Sequence, residues 1–300
     1  MPDSTDPAWT RAADVSVIVR TCGRPVFLRR ALQSIAQQTV FPQQVVVVAE
    51  GDAGAAVRSV VDGSWSGPAE TVEMIANAVP VGRGAALNQG LQAARTAWIA
   101  VLDDDDTWEP TFLERAMAYV SESVERAKGV VALTTCVAEQ ESRGSMHELR
   151  RWSFNPPGFG VVTIQGLAGG SQFTINAFVY SRAAALALGG YREDIPVQED
   201  WEFSLRYVRA HKVGLISEPL ANYHLRPHAR TGAEANSSQV LHEVVRQQII
   251  DGWLREELET GRFGLGQLCM QAGFQREFAA AFRFKRRLLR LFRRLGLRRG

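Results

Sequence analysis

The residues best equipped for chemistry are four consecutive carboxylates, Asp103, Asp104, Asp105 and Asp106, in the segment Leu102-Asp-Asp-Asp-Asp-Thr-Trp108. Adjacent carboxylates repel one another, so folding them together requires a cation or a salt partner. Alternate residues of an extended segment point the same way. Asp103 and Asp105 can therefore share one ligand while Asp104 and Asp106 face elsewhere. Hard oxygen ligands of this kind suit Mn2+ or Mg2+, which keeps positions open for substrate phosphates. The competing reading is an acidic loop capping a helix after Pro110. A second acidic pair, Glu199-Asp200, reads on its own as charge at a helix N-terminus, favourable against the dipole. The stretch Tyr223-His-Leu-Arg-Pro-His-Ala-Arg-Thr231 sets two histidines beside Arg226 and Arg230. Guanidinium groups pair well with phosphate oxygens.

These residues need elements to position them. Val15 to Val19 is a short β-branched run that ends at Thr21-Cys-Gly-Arg-Pro25, and Phe27, Leu28, Ala31, Leu32 and Ile35 then recur at helical spacing. Val45 to Val48 has no polar alternation, as expected of a strand buried on both faces. A helix over Ala55 to Val61, a strand over Thr71 to Ile75, a helix over Gly84 to Arg95 and a strand over Trp98 to Leu102 continue the alternation. That pattern predicts an α/β fold with a mostly parallel central sheet flanked by helices. Ligands in such sheets collect at the carboxyl ends of the strands. Here those ends carry Arg20-Thr21, Glu50-Gly51-Asp52 and the Asp103 run. Further on, Arg151 to Gly170 reads as a long loop with a short strand at Val161 to Ile164. Phe173 to Tyr180 reads as a strand, and Arg182 to Leu188 and Glu199 to Ala210 as helices. The pattern is helical from Ala233 to the end.

Several of these segments together resemble family 2 glycosyltransferases. The resemblance is carried by Val15 to Pro25, Leu32 to Gln38, Val45 to Val48, Gly82-Arg-Gly-Ala-Ala-Leu-Asn-Gln-Gly90, Trp98 to Pro110, Gly189-Gly-Tyr191 and Gln198-Glu-Asp-Trp201. It implies a GT-A fold over residues 14–232. It also implies inverting transfer from a nucleoside diphosphate sugar (UDP-, GDP- or dTDP-linked) to an acceptor hydroxyl on a sugar, glycan or lipid-linked acceptor. Asp105, helped by Asp103, would hold the metal on the diphosphate, with His224 or His228 as a third ligand. Asp200 would be the general base, with Glu199 and Trp201 beside it on the acceptor side. Thr21, Arg24, Asp104, Arg226 and Arg230 fall on the nucleotide-sugar side. Where the family pairs aspartates after the second strand this chain has Glu50 and Asp52, either of which would read the nucleobase. Where the family places an arginine before Asn88 this chain has Leu87, and Arg83 would supply the cation. Aromatic faces suit sugar rings, so Trp152, with Phe154 and Phe159, is expected to shape the acceptor side. A sugar-nucleotide nucleotidyltransferase and a non-catalytic nucleotide-binding protein of the same fold are the rival readings. For the former, the loop Thr21 to Pro25 is short.

The remaining features bound the setting. Three scattered cysteines, Cys22, Cys136 and Cys269, exclude a disulfide framework or zinc spacing and favour a reducing cytoplasm. Residues 1–13 have no secretory pattern and are expected to be disordered. No apolar run approaches the ~18 residues of a membrane span. Residues 233–300 form a predicted helical extension. Its last stretch, Arg283 to Gly300, holds nine basic residues and no acidic ones, although the whole chain is only +2. Phe284, Leu288, Leu291, Phe292 and Leu295 mark one stripe of a helix there. A basic amphipathic helix of this kind can lie on an anionic membrane surface, which would place the protein peripherally on the inner face of the membrane. Packing on the acidic body is the alternative. No aromatic-rich basic surface elsewhere supports a nucleic-acid partner.

Overall fold

The computed structural model describes residues 12–123, 127–142, 145–227 and 239–276, together with Phe278 and Phe282. Strand β1 (Ala12–Thr21) leads through α1 (Pro25–Ala36) to β2 (Phe41–Glu50). Next come α2 (Gly54–Ser64), β3 (Val72–Asn77), α3 (Arg83–Ala93) and β4 (Trp98–Asp103). These four strands pair in parallel in the order β3-β2-β1-β4. The central residues of β1, β2 and β4, among them Ile18, Val46 and Val101, are wholly buried, whereas β3 is only half-buried. β-branched residues on both faces give strands that helices must cover, and α3 packs on β1 and β2 accordingly.

Beyond β4 the pairing is mixed. The short β5 (Thr107–Trp108) and α4 (Phe112–Glu122) precede a hairpin of β6 (Gly129–Ser142) and β7 (Ser145–Ser153). Then follow α5 (Ile164–Gly169), β8 (Phe178–Ser181), α6 (Arg182–Ala187), α7 (Glu199–Ala210) and β9 (Val213–Leu225). β8 pairs antiparallel with both β4 and β6, whereas β9 runs parallel to β6 and antiparallel to β5. Among the described residues the sheet has nine strands. The long α8 (Gln239–Thr260) and a helix over 265–276 complete the described chain.

Three expectations change. Arg151 to Ser153 belong to β7 and not to a loop, and Trp152 pairs with Cys136 of β6. The strand expected at Val161 to Ile164 is instead the entry to α5, where the Thr163 hydroxyl caps the helix by accepting from the Gly166 amide. The first half of Phe173 to Tyr180 holds a 3-10 turn over Ile175–Ala177, and only the second half is strand. Residues 1–11, His228, Arg230 and Arg283 to Gly300 lie outside the described residues.

Candidate active site

The parallel register of β1 and β4 sets Arg20 opposite Asp103 at the carboxyl end of the sheet. There the Arg20 guanidinium donates to Asp103 Oδ1 from Nε at 3.2 Å and from Nη2 at 2.7 Å. Burial pushes the Asp103 carboxyl up, but Arg20 and then Arg83 outweigh it and hold it below the ordinary range. Asp104 turns inward. Thr21 Oγ1 donates to its Oδ2 at 2.6 Å, and Arg24 pairs with both of its oxygens. Asp105 turns back toward the Asp103 side, where Arg24 (3.2 Å) and the buried Arg226 both donate to Oδ2. Asp106 is buried, and among the described residues no cation hydrogen-bonds to it. It accepts from the His224 amide at 3.0 Å and from Asn176 Nδ2 at 2.9 Å. Burial, then the charges of Asp105 and Asp103, raise its carboxyl well above the ordinary value.

Asp103, Asp105 and Asp106 line a cleft of about 280 Å3 together with Arg20, Arg24, Arg83, Asp200, Gln198 and His242. Phe154, Phe173 and Tyr223 complete the apolar part of its wall. A larger, more open depression of about 970 Å3 lies along α3 and carries no arginine or aspartate. Phosphate and metal chemistry therefore belong to the smaller cleft.

α7 brings the acidic pair to this cleft. Gln198, its N-cap, has a left-handed backbone (φ 69°), the one non-glycine positive φ among the described residues. Conformations of that kind cost free energy and persist where the surroundings hold them. Here the Gln198 amide also reaches His242 Nδ1 on α8 at 3.0 Å. Asp200 Oδ1 accepts from the Trp201 amide at 2.7 Å, while the carboxylate faces the cleft. Glu199 is buried behind it, 3.9 Å from Arg83, and its Oε2 has no hydrogen-bond partner among the described residues. Burial, followed by the charge of Asp200, pushes the Glu199 carboxyl up to about 7.

The donor set can be tested against a divalent cation. Asp103 Oδ2 and Asp105 Oδ1 accept no hydrogen bond among the described residues, and both residues face the cleft. Two hard oxygens with room for phosphate and water suit Mg2+ or Mn2+, so these residues fit such an ion. His224 does not complete the set. Its Nδ1 bonds Glu139 at 3.0 Å and its Nε2 meets the Thr107 hydroxyl at 3.0 Å. Burial, the largest influence on it, lowers its proton affinity. A neutral ring that donates from Nδ1 and accepts at Nε2 has no nitrogen left for a metal. Among the described residues no group of three histidine, cysteine or acidic side chains converges on one point.

Other expected residues fall elsewhere. Trp201 is buried and donates to the Leu167 carbonyl, with the Arg246 guanidinium over its ring, so it is core and not an acceptor contact. Trp152 stacks under Arg150 on β7 and does not line the cleft. Asn88 ties α3 to the turn after α6, donating to the Tyr191 carbonyl and accepting from its amide. That close approach needs Gly190, whose φ is +68° and whose added Cβ would strike the Asn88 side chain. Glu50 accepts from the Gly82 amide at 3.0 Å, holding the start of α3, and Asp52 is exposed outside the cleft. Arg226 is buried against Asp105, Glu139 and the Phe27 ring, where it orients Asp105. Arg20, Gln198, Tyr223 and His242 are cleft residues to which the sequence assigned no role. The first three lie inside segments marked above, and His242 left no signal.

Comparison with known proteins agrees with this geometry. The sequence model of glycosyl transferase family 2 matches residues 16–186, more than half of the chain. An uncharacterized glycosyltransferase, YwdF of Bacillus subtilis, is 25% identical over 199 residues, covering 66% of this chain and 69% of its own. The UDP-Gal:alpha-D-GlcNAc-diphosphoundecaprenol beta-1,3-galactosyltransferase of Escherichia coli is 24% identical, covering 61% and 62%. Among solved structures, S. aureus TarS superposes with a TM-score of 0.54 at 19% identity, over 71% of this chain and 37% of TarS. The mannosyltransferase PcManGT of Pyrobaculum calidifontis, solved with GDP-Man and Mn2+, gives 0.55 at 17% identity over 100% of this chain and 85% of its own. The fold is the GT-A fold of those enzymes. With its arginine-held aspartates at the carboxyl ends of the strands, the chain belongs to glycosyl transferase family 2.

Proposed function

We propose that this glycosyltransferase moves a sugar from a nucleoside diphosphate donor to an acceptor hydroxyl with inversion, using Mn2+ or Mg2+ held by Asp105 and Asp103. The observation that carries the reading is one small cleft in which Asp103, Asp105, three arginines and the Asp200 carboxylate face one another. A bound divalent ion would neutralise charge on the departing diphosphate. Arg20 and Arg83 orient the phosphates from the same cleft. Asp200 takes the proton of the acceptor hydroxyl. Its Oδ1 is fixed by the Trp201 amide, which leaves Oδ2 as the base. Glu199, neutral up to about pH 7, leaves the negative charge of the pair on Asp200. Phe154, Phe173 and Tyr223 offer the aromatic faces for a sugar ring.

UDP- and GDP-sugars are the donors to try first, since TarS was solved with UDP-GlcNAc and PcManGT with GDP-Man. The Escherichia coli relative acts on a diphosphoundecaprenol-linked sugar, which makes a lipid-linked glycan the leading acceptor. The deciding assay is release of nucleoside diphosphate from such donors. Release that requires Mn2+ or Mg2+ and is lost in both Asp105→Asn and Asp200→Asn upholds the proposal. Release of pyrophosphate, or no turnover with any donor, overturns it.

A further inference from the structure

We propose that the last described helix docks the protein on a bilayer carrying anionic headgroups, with Met270, Phe274, Phe278 and Phe282 as its inserted face. The helix over 265–276 packs inward through Leu265, Cys269 and Ala272, all buried. Met270, Phe274, Phe278 and Phe282 follow one another at every fourth residue and are 47%, 65%, 77% and 55% exposed. Four residues advance a helix by a little more than one turn, so the series forms one slowly winding stripe. At about 100° per residue, that stripe centres on the side opposite the buried trio. The helix thus has two apolar faces, one packed and one bare. A bare face of this kind marks an interaction surface.

Charge identifies what covers it. The 18 residues after Phe282 hold nine arginines and lysines and no acidic residue, and the rest of the chain is net acidic. An aromatic face that runs straight into a cationic segment is the combination that draws a helix into an anionic headgroup layer. A second copy of the chain would instead bring two such cationic segments together, which repel. On α8, exposed Val240, Leu241 and Val244 flank His242, a cleft residue, so apolar surface also reaches the edge of the cleft. The inference stands independently of the transfer chemistry.

The test is sedimentation of the full chain with vesicles of phosphatidylcholine alone and of phosphatidylcholine mixed with phosphatidylglycerol. Binding is expected only to the mixed vesicles. The double variant Phe274→Glu, Phe278→Glu should weaken it on the order of a hundredfold. Both side chains are exposed, so thermal unfolding and release of nucleoside diphosphate from a soluble donor should stay unchanged. The inference falls if the wild type ignores phosphatidylglycerol vesicles, or if the double variant binds as well as the wild type. It falls equally if, without lipid, the wild type sediments as a dimer that this variant dissociates.

Discussion

Replacing Glu199 with glutamine should make the fold more resistant to alkaline conditions, and the size of the effect follows from where Glu199 sits. Its carboxyl is almost fully buried, one oxygen has no hydrogen-bond partner among the described residues, and Asp200 is its sequence neighbour. Burial first, and then the Asp200 charge, raise it from the ordinary 4.5 to about 7. Below pH 4.5 the folded and unfolded chains both carry the proton, and nothing is lost. As pH rises from 4.5 through 7, the unfolded chain gives up its proton before the folded one does. Stability therefore falls over that window and levels off above it. The gap between the two values corresponds to about 3 kcal/mol. In Glu199→Gln this loss is absent. Urea and thermal unfolding of both proteins at pH 5 and pH 8 would read it. The variant should gain about 2 to 3 kcal/mol on the wild type between the two conditions, or on the order of 5 to 10 °C in Tm. Parallel pH dependence in the two proteins would refute the reasoning. It would mean that Glu199 is ionised in the folded protein, and the charge of the pair would then no longer be confined to Asp200.

Three further expectations can be checked directly. Asp200→Asn should lower the turnover rate by about 10²- to 10⁴-fold while leaving donor affinity intact, as read by single-turnover kinetics against equilibrium binding. Arg226→Met removes a buried cation from Asp105 and Glu139 and should cost about 3 to 5 kcal/mol in urea unfolding. Gly84→Ala sets a methyl group against the Arg192 carbonyl, so the contact between α3 and the Gly190 turn must open. Unfolding should show a loss of about 1 to 3 kcal/mol for that overpacking.

The first half of the fold was readable because its signals are local. An apolar β-branched run, a loop and a helical stripe of leucines specify β1, α1, β2 and β4 with no help from distant residues. Asp103, Asp105 and Asp200 were legible for the same reason, since a carboxylate at a strand end or a helix start declares its position. What escaped depends on long-range pairing. β7 is an edge strand that pairs only with β6, so its outward positions are polar and its sequence, Ser-Met-His-Glu-Leu-Arg-Arg-Trp-Ser, looks like loop. His224 read as a metal ligand because its captors, Glu139 and Thr107, lie 85 and 117 residues away in sequence. Trp201 lost its acceptor role to a carbonyl on α5, and His242 gained a cleft position only because α8 folds back over α7.

The arrangement also explains how four adjacent carboxylates fold at all, and what that asks of a donor. Each is handled differently. Asp103 is matched by Arg20 across the strands, Asp104 is buried on Thr21 and Arg24, Asp105 is held by Arg24 and Arg226, and Asp106 is buried on the His224 amide and the Asn176 side chain. Asp103, Asp104 and Asp105 are thus each paired with arginine. A diphosphate arriving alone therefore meets a site whose arginines Arg20, Arg24 and Arg226 are already engaged by carboxylates. With a divalent ion on Asp103 and Asp105, Arg20 can turn to the phosphates without stranding a carboxylate, while Arg24 stays on the buried Asp104. Donor binding should consequently strengthen with Mn2+ far more than a single added contact would allow, and chelation should weaken it even where no turnover is possible, as in Asp200→Asn. Calorimetry of UDP and GDP with and without Mn2+ measures this. Equal affinity in both conditions would mean that the arginines leave the aspartates unaided, and the metal would then have no part in holding the donor.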